Sequence, residues 1–193
     1  MRRLIALMFP QANIWTRIIE RAFWLALIVC AITTNGSLAS AEDASNAAAS
    51  KPVTVAFLGV RLQNDNEGLD PTSAAERERQ KKLEELFKKK LEATGRFKFV
   101  PTPPETVAKI EAGQNMGECN GCEVDFGKAL GGERIAWITV QKISNLILNL
   151  NVYMADVATS KMTYIQSVDI RGNTDESWTR SLTYMLDNYF DAK

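Results

Sequence analysis

The chain has 193 residues, 46% of them hydrophobic, with 23 lysines and arginines balancing 23 aspartates and glutamates and no histidine. This is the composition of a folded protein and not of a disordered one. The missing histidine excludes an imidazole-activated serine or cysteine nucleophile, a histidine-ligated haem and an imidazole zinc site, and the zero net charge gives no global field for nucleic acid.

The first 41 residues hold Arg2, Arg3, Arg17 and Arg21 against the single acid Glu20. An apolar run of 11 residues follows at 22–32, and the small residues Ala39-Ser40-Ala41 come after a polar stretch. These are the parts of a Sec-type signal peptide, predicted to be cut between Ala41 and Glu42 to release a periplasmic chain. The run is short of the ~20 residues of a membrane span, so no stable span is expected after cleavage. A retained amino-terminal anchor is the alternative. Leu27-Ile28-Val29-Cys30 has the outline of a lipoprotein box, but Val29 is bulky where a small residue is normal. Residues 42–51 read as a flexible lead and 52–193 as one domain. The trimmed chain carries 19 basic and 22 acidic side chains, a net charge of −3.

A first strand is expected over 53–60, apolar on both faces, followed by the polar loop 63–69. Ser73 and Glu76 have capping-box spacing, and Leu83, Leu86, Phe87 and Leu91 fall on one face of the helix they open, which Gly95 ends. Phe97-Lys98-Phe99-Val100 predicts a second strand. Pro103-Pro104-Glu105 starts a shorter helix, and Cys119-Asn120-Gly121-Cys122 opens another that stops at Gly131-Gly132. A strand over 135–140 turns at Ser144-Asn145. Leu146, Leu148, Leu150, Val152 and Met154 then share one face of the next strand. Residues 162–170 complete an antiparallel three-strand meander. The last helix, over 175–190, is capped near Asn173 or Thr174 and stripes Trp178, Leu182, Met185 and Tyr189. The order β-α-β-α-α-β-β-β-α predicts an α+β fold: a single mixed sheet with helices packed against it.

Chemistry-bearing motifs are few. Cys119 and Cys122 pair most simply as a disulfide in an exported protein, bracing a loop against the following helix. Thiol–disulfide exchange is a second reading, because a helix start stabilises a thiolate. An ad hoc metal site with Glu118, Glu123 and Asp125 is a third. The loop 63–70 fails as a calcium loop, because Gln63 and Ala74 stand where charged ligands are needed. The seven basic and four acidic side chains of residues 76–90 read as a solvated helix face with Glu78–Lys82, Glu84–Lys88 and Glu85–Lys89 pairs. No catalytic residues, metal ligands or cofactor site are assigned, and no nucleic-acid partner is expected.

Residues 53–60, the helix to Gly95, Phe97-Lys98-Phe99-Val100, Leu130-Gly131 and Asp156-Val157-Ala158-Thr159-Ser160-Lys161 together resemble the αβ domain shared by the amino-terminal part of TolB, the penicillin-binding-protein activator lipoproteins and the curli secretion component. Ser160 stands where that group's turn has glycine. Cys119-x-x-Cys122 and the stretch from Ile170 to Trp178 are similar to a family of exported bacterial proteins that is a domain of unknown function. That likeness implies an accessory role, with a periplasmic quinoprotein alcohol dehydrogenase as one candidate partner. Arg171, Asp175 and Glu176 are the candidate partner surface. The expected function is therefore that of a non-enzymatic periplasmic accessory or adaptor for an envelope protein; a thiol-redox protein and a ligand- or metal-binding protein are the alternatives.

Overall fold

In the computed structural model, which describes residues 51–190, the polypeptide opens with strand β1 (Val53–Asn64). Helix α1 (Ala74–Ala93) follows, with the Ser73–Glu76 capping box formed in both directions as its spacing predicts. Next come β2 (Phe97–Val100), α2 (Pro104–Ala112) and α3 (Cys122–Leu130). Strands β3 (Arg134–Lys142), β4 (Ile147–Asp156) and β5 (Met162–Arg171) lead into α4 (Asp175–Met185), which widens into a π-helical turn over Leu186–Phe190. The strands form one sheet in the order β2-β1-β3-β4-β5. β1 is parallel to β2 and β3, while β3, β4 and β5 run antiparallel. The fold is α+β with a single mixed sheet. The expected cleavage residues Ala41 and Glu42, and Cys30, lie outside the described residues.

Each face of the sheet has its own core. Val55, Phe57, Ile138, Val140 and the inward residues of β4 pack against Leu83, Phe87 and Leu91 of α1 and Trp178, Leu182 and Met185 of α4. The opposite face buries Ala56, Leu58, Ile135 and Trp137 under Ile110, Met116 and the apolar side of α3. Strand pleat alone would send Val60 to the α2 side. Gly59 prevents this: at φ +97° it forms an irregularity where the register with β3 shifts between Phe57 and Val60. The slip returns Val60 and Leu62 to the α1 core and leaves Arg61 facing α2.

Three sequence expectations change. β1 runs four residues past Val60, taking Gln63 and Asn64 into the sheet, because β3 pairs with them. Leu146 is not part of the inward row; it lies in the turn before β4 and is exposed. Lys82 turns away from Glu78 to reach Asp175 at 2.6 Å, while Lys88 keeps Glu84 at 2.6 Å. Ser160 holds φ +57°, so the turn keeps its left-handed corner without glycine.

Gly132 marks the tightest backbone approach. A Cβ there would stand 2.8 Å from the Arg134 carbonyl and 2.9 Å from the Ala56 amide nitrogen. Gly132→Ala is expected to cost about 1–3 kcal/mol in urea unfolding, whereas Gly68→Ala, with open space around it, stays within about 0.5 kcal/mol.

Candidate interaction site

The carboxyl ends of β1 and β3 lie together, beside the loop into α1, the β3–β4 turn and the β5–α4 turn. Lys142 is the last residue of β3 and is only 2% exposed, yet it carries a charge. Its ammonium sits 2.7 Å from the equally buried Glu76 carboxylate and 2.9 Å from that of Asp70. Glu76 also accepts from the Ser73 amide (2.7 Å), the Ser73 hydroxyl (2.9 Å) and the Asn173 side chain (2.7 Å). Burial pushes the Glu76 carboxyl up, but Lys142, Ser73 and Asn173 outweigh that and bring it down from 4.5 to about 2. Burial likewise works against the Lys142 ammonium, and its bonds to Asp70 and Glu76 reverse the effect and raise its pKa.

Asn173 extends this cluster across the chain. Its carbonyl oxygen accepts from the Trp178 indole and from Arg79, each at 3.0 Å. Its amide donates to Asn145 at 2.9 Å, and its backbone N–H reaches the Asn145 carbonyl at 2.9 Å. One side chain thus ties α1, α4 and the β3–β4 turn. The loop after β1 is tied as well. Asn66 donates to the Ile143 carbonyl at 3.0 Å, and Asn145 donates to Asp70 at 3.1 Å.

This fixed frame presents aliphatic side chains to solvent. Leu69 is 91% exposed, Leu146 75%, Ile147 59% and Ile143 51%. Leu69 lies in the loop after β1, Ile143 and Leu146 lie in the β3–β4 turn, and Ile147 is the first residue of β4. Asp65 and Glu67 stand in the same loops and Asp169 faces Arg171 at 3.7 Å near the end of β5, while Asp70 is paired with Lys142. Glu67 is locked into its loop by the Thr72 hydroxyl (2.6 Å) and amide (3.0 Å), which hold its carboxyl below the usual range.

The sequence-derived candidates fall in three places. Asp175 accepts from Arg79 at 2.8 Å and Lys82 at 2.6 Å, so its charge is spent within the fold. Arg171 and Glu176 are exposed; Arg171 lies 3.7 Å from Asp169, beside the aliphatic group, and Glu176 lies 3.6 Å from Arg180 along α4. Cys119 and Cys122 are joined as a disulfide on the other side of the sheet, with Cys122 the first residue of α3. Ligand atoms of Cys119, Cys122 and Glu123 lie within 4.8 Å of one another, but bonded sulfurs are not thiolates, and the buried Glu123 carboxylate accepts from the Gly117 amide. Glu118 turns instead to Asn115, and Asp125 to Lys128. The aliphatic group was hidden in the sequence, because Leu146 continues the apolar alternation of β4 and only its place in the turn exposes it.

A family model for DUF3280, described as "Protein of unknown function (DUF2380)", matches residues 53–190. No curated protein matches the chain. Among solved structures, the LpoB C-terminal domain from Salmonella enterica is 14% identical over 63% of this chain and 84% of that one, with a TM-score of 0.43. Lipoprotein GNA1162 from Neisseria meningitidis is 13% identical over 72% of this chain and 99% of that one, at 0.43. TolB from Acinetobacter baumannii is 13% identical over 71% of this chain and 28% of its own length, at 0.40. Among the described residues, no helix is long and apolar enough to cross a membrane.

The Glu76 carboxyl gives the site a pH signature. Because folding lowers its pKa from 4.5 to about 2, its stabilisation is complete above pH 4.5 and is lost as pH falls towards 2. Urea midpoints measured across that window are expected to fall less steeply for Glu76→Gln than for the wild type. Equal slopes would contradict the assignment.

Proposed function

The chain belongs to the DUF3280 family of proteins of unknown function, and from that premise we propose that it is an exported, non-catalytic accessory protein that holds an envelope protein through its loop end. The observation carrying this reading is the group Leu69, Ile143, Leu146 and Ile147, exposed on loops that are hydrogen-bonded to one another. Loops that must order on contact give up conformational entropy, and these are ordered in advance. Burying the group against a partner returns about 25 cal/mol per Å² of apolar surface. Asp65 and Glu67 select a partner that surrounds its apolar socket with basic residues, and they work against an anionic lipid surface.

The arginine-rich start, the 11-residue apolar run and Ala39-Ser40-Ala41 support export to the periplasm. In this reading the Cys119–Cys122 disulfide braces the turn into α3 and takes no part in exchange. A periplasmic quinoprotein dehydrogenase is the candidate partner that the sequence resemblance suggests.

Site-specific photocrosslinking in cells tests the proposal. A photoreactive residue in place of Leu146 is expected to give one discrete adduct with an envelope protein, which Leu69→Asp removes. The same residue in place of the exposed Lys89 gives none. Adducts at both positions, adducts insensitive to Leu69→Asp, or an untrimmed chain confined to the cytoplasm would contradict it.

A further inference from the structure

We infer that the outer edge of β1, beyond the end of β2, is a docking groove for an extended peptide segment of a partner protein, which adds to the sheet in line with β2. β2 pairs only with Val53 to Ala56. β1 continues to Asn64, and over that length its strand pairing is with β3 on the inner side. Among the described residues no strand covers the outer edge past Ala56. The Phe57 carbonyl is taken by the Thr102 hydroxyl at 3.3 Å, which closes the β2 end of the groove. An open strand edge is a template for another chain, and folded proteins usually cover it with a helix or loop. Here α1 and α2 stand on either side of the edge and leave a cavity of about 420 Å³ between them.

The two walls differ. On the α2 side, Val107, Ile110, Met116 and Trp137 make an apolar wall, with the exposed Glu111 also lining the groove from α2. Trp137 is 5% exposed and is fixed by stacking on Tyr153 at 5.0 Å, yet its indole N–H has no acceptor. On the α1 side the lining is polar. Glu84 is offset by Lys88 at 2.6 Å, and Lys81 is shared with Glu78 at 3.2 Å. Arg77 gives its guanidinium to the Thr72 carbonyl at 2.7 Å, and among the described residues no carboxylate pairs with it. The α2 wall does not need a ligand to form. Arg61 donates to the Ile110 (3.2 Å), Glu111 (2.9 Å) and Asn115 (2.8 Å) oxygens and anchors the end of that helix to β1.

A strand laid in this groove sends alternate side chains to opposite walls. Its preferred sequence therefore alternates apolar residues, towards Trp137 and Met116, with acidic ones, towards Arg77. This site is separate from the aliphatic loop end and does not depend on that reading.

The test uses the full chain and three labelled eight-residue peptides that alternate valine with glutamate, serine or lysine. In fluorescence anisotropy the glutamate peptide is expected to bind saturably, at least tenfold more tightly than the lysine peptide. Binding is expected to slow amide exchange within residues 57–63. Val107→Glu, at a groove position 38% exposed, should weaken binding tenfold or more at an unchanged melting temperature. Methylating alternate peptide amides should abolish binding, and Leu146→Asp should leave it unchanged. Absence of saturable binding by all three peptides, indifference to Val107→Glu, or slowed exchange along β5 instead would overturn the proposal.

Discussion

A lysine ammonium cannot be buried at the end of a central strand unless carboxylates meet it there, and this requirement organises one whole end of the molecule. Removing a charge from water costs several kcal/mol, a debt settled only by close pairing and full hydrogen bonding. Lys142 is met by Glu76 from the first turn of α1 and by Asp70 from the preceding loop. Glu76 is in turn held by the helix cap and by Asn173. The capping box thus serves twice, starting α1 and orienting the carboxylate that neutralises Lys142. The loops that meet at this cluster are those that display the aliphatic group, so the shape of the candidate contact surface follows from the charge pairing beneath it.

Two features of this scaffold underlie the binding roles proposed above. At the loop end, apolar side chains stand out on a frame that is already ordered. Along β1, strand pairing on the outer edge ends at Ala56, while the inner edge stays paired with β3 as far as Asn64. Gly59 links that edge to the core, because its irregularity resets which residues face which helix. Val60 and Leu62 return to the α1 core, and Arg61 is freed to anchor α2. The disulfide lies on the same side of the sheet as α2 and closes the turn from which α3 starts.

Much of the fold was legible because its signals are local. Ser73 and Glu76 announce the helix start three residues apart, Phe97 to Val100 is a compact β-rich run, and the alternation of β4 separates its faces residue by residue. The interaction site was harder to read, since its members meet only in space. Lys142 looks like a solvated lysine at a strand end, and nothing near it in sequence identifies Glu76 as its partner. Asn173 was readable as a helix cap, but Thr174 takes that role, and Asn173 joins elements up to 97 residues apart. Leu146 extends a genuine alternation by one step beyond the strand, where the pleat no longer applies. Asp175 attracts attention as an acid in a motif, and its binding to Arg79 and Lys82 appears only when α1 and α4 pack side by side.

The direct measurement of the central claim is a double-mutant cycle in urea on Lys142→Met, Glu76→Gln and the pair together. Lys142→Met strands the buried Glu76 carboxylate and is expected to cost about 3–5 kcal/mol, whereas Glu76→Gln leaves Lys142 with Asp70 and is expected to cost less, about 1–3 kcal/mol. The double variant should lose far less than the sum, because neither charge is then left alone. Strictly additive losses, or single losses under about 1 kcal/mol, would contradict the view that this buried pair sets the loop end.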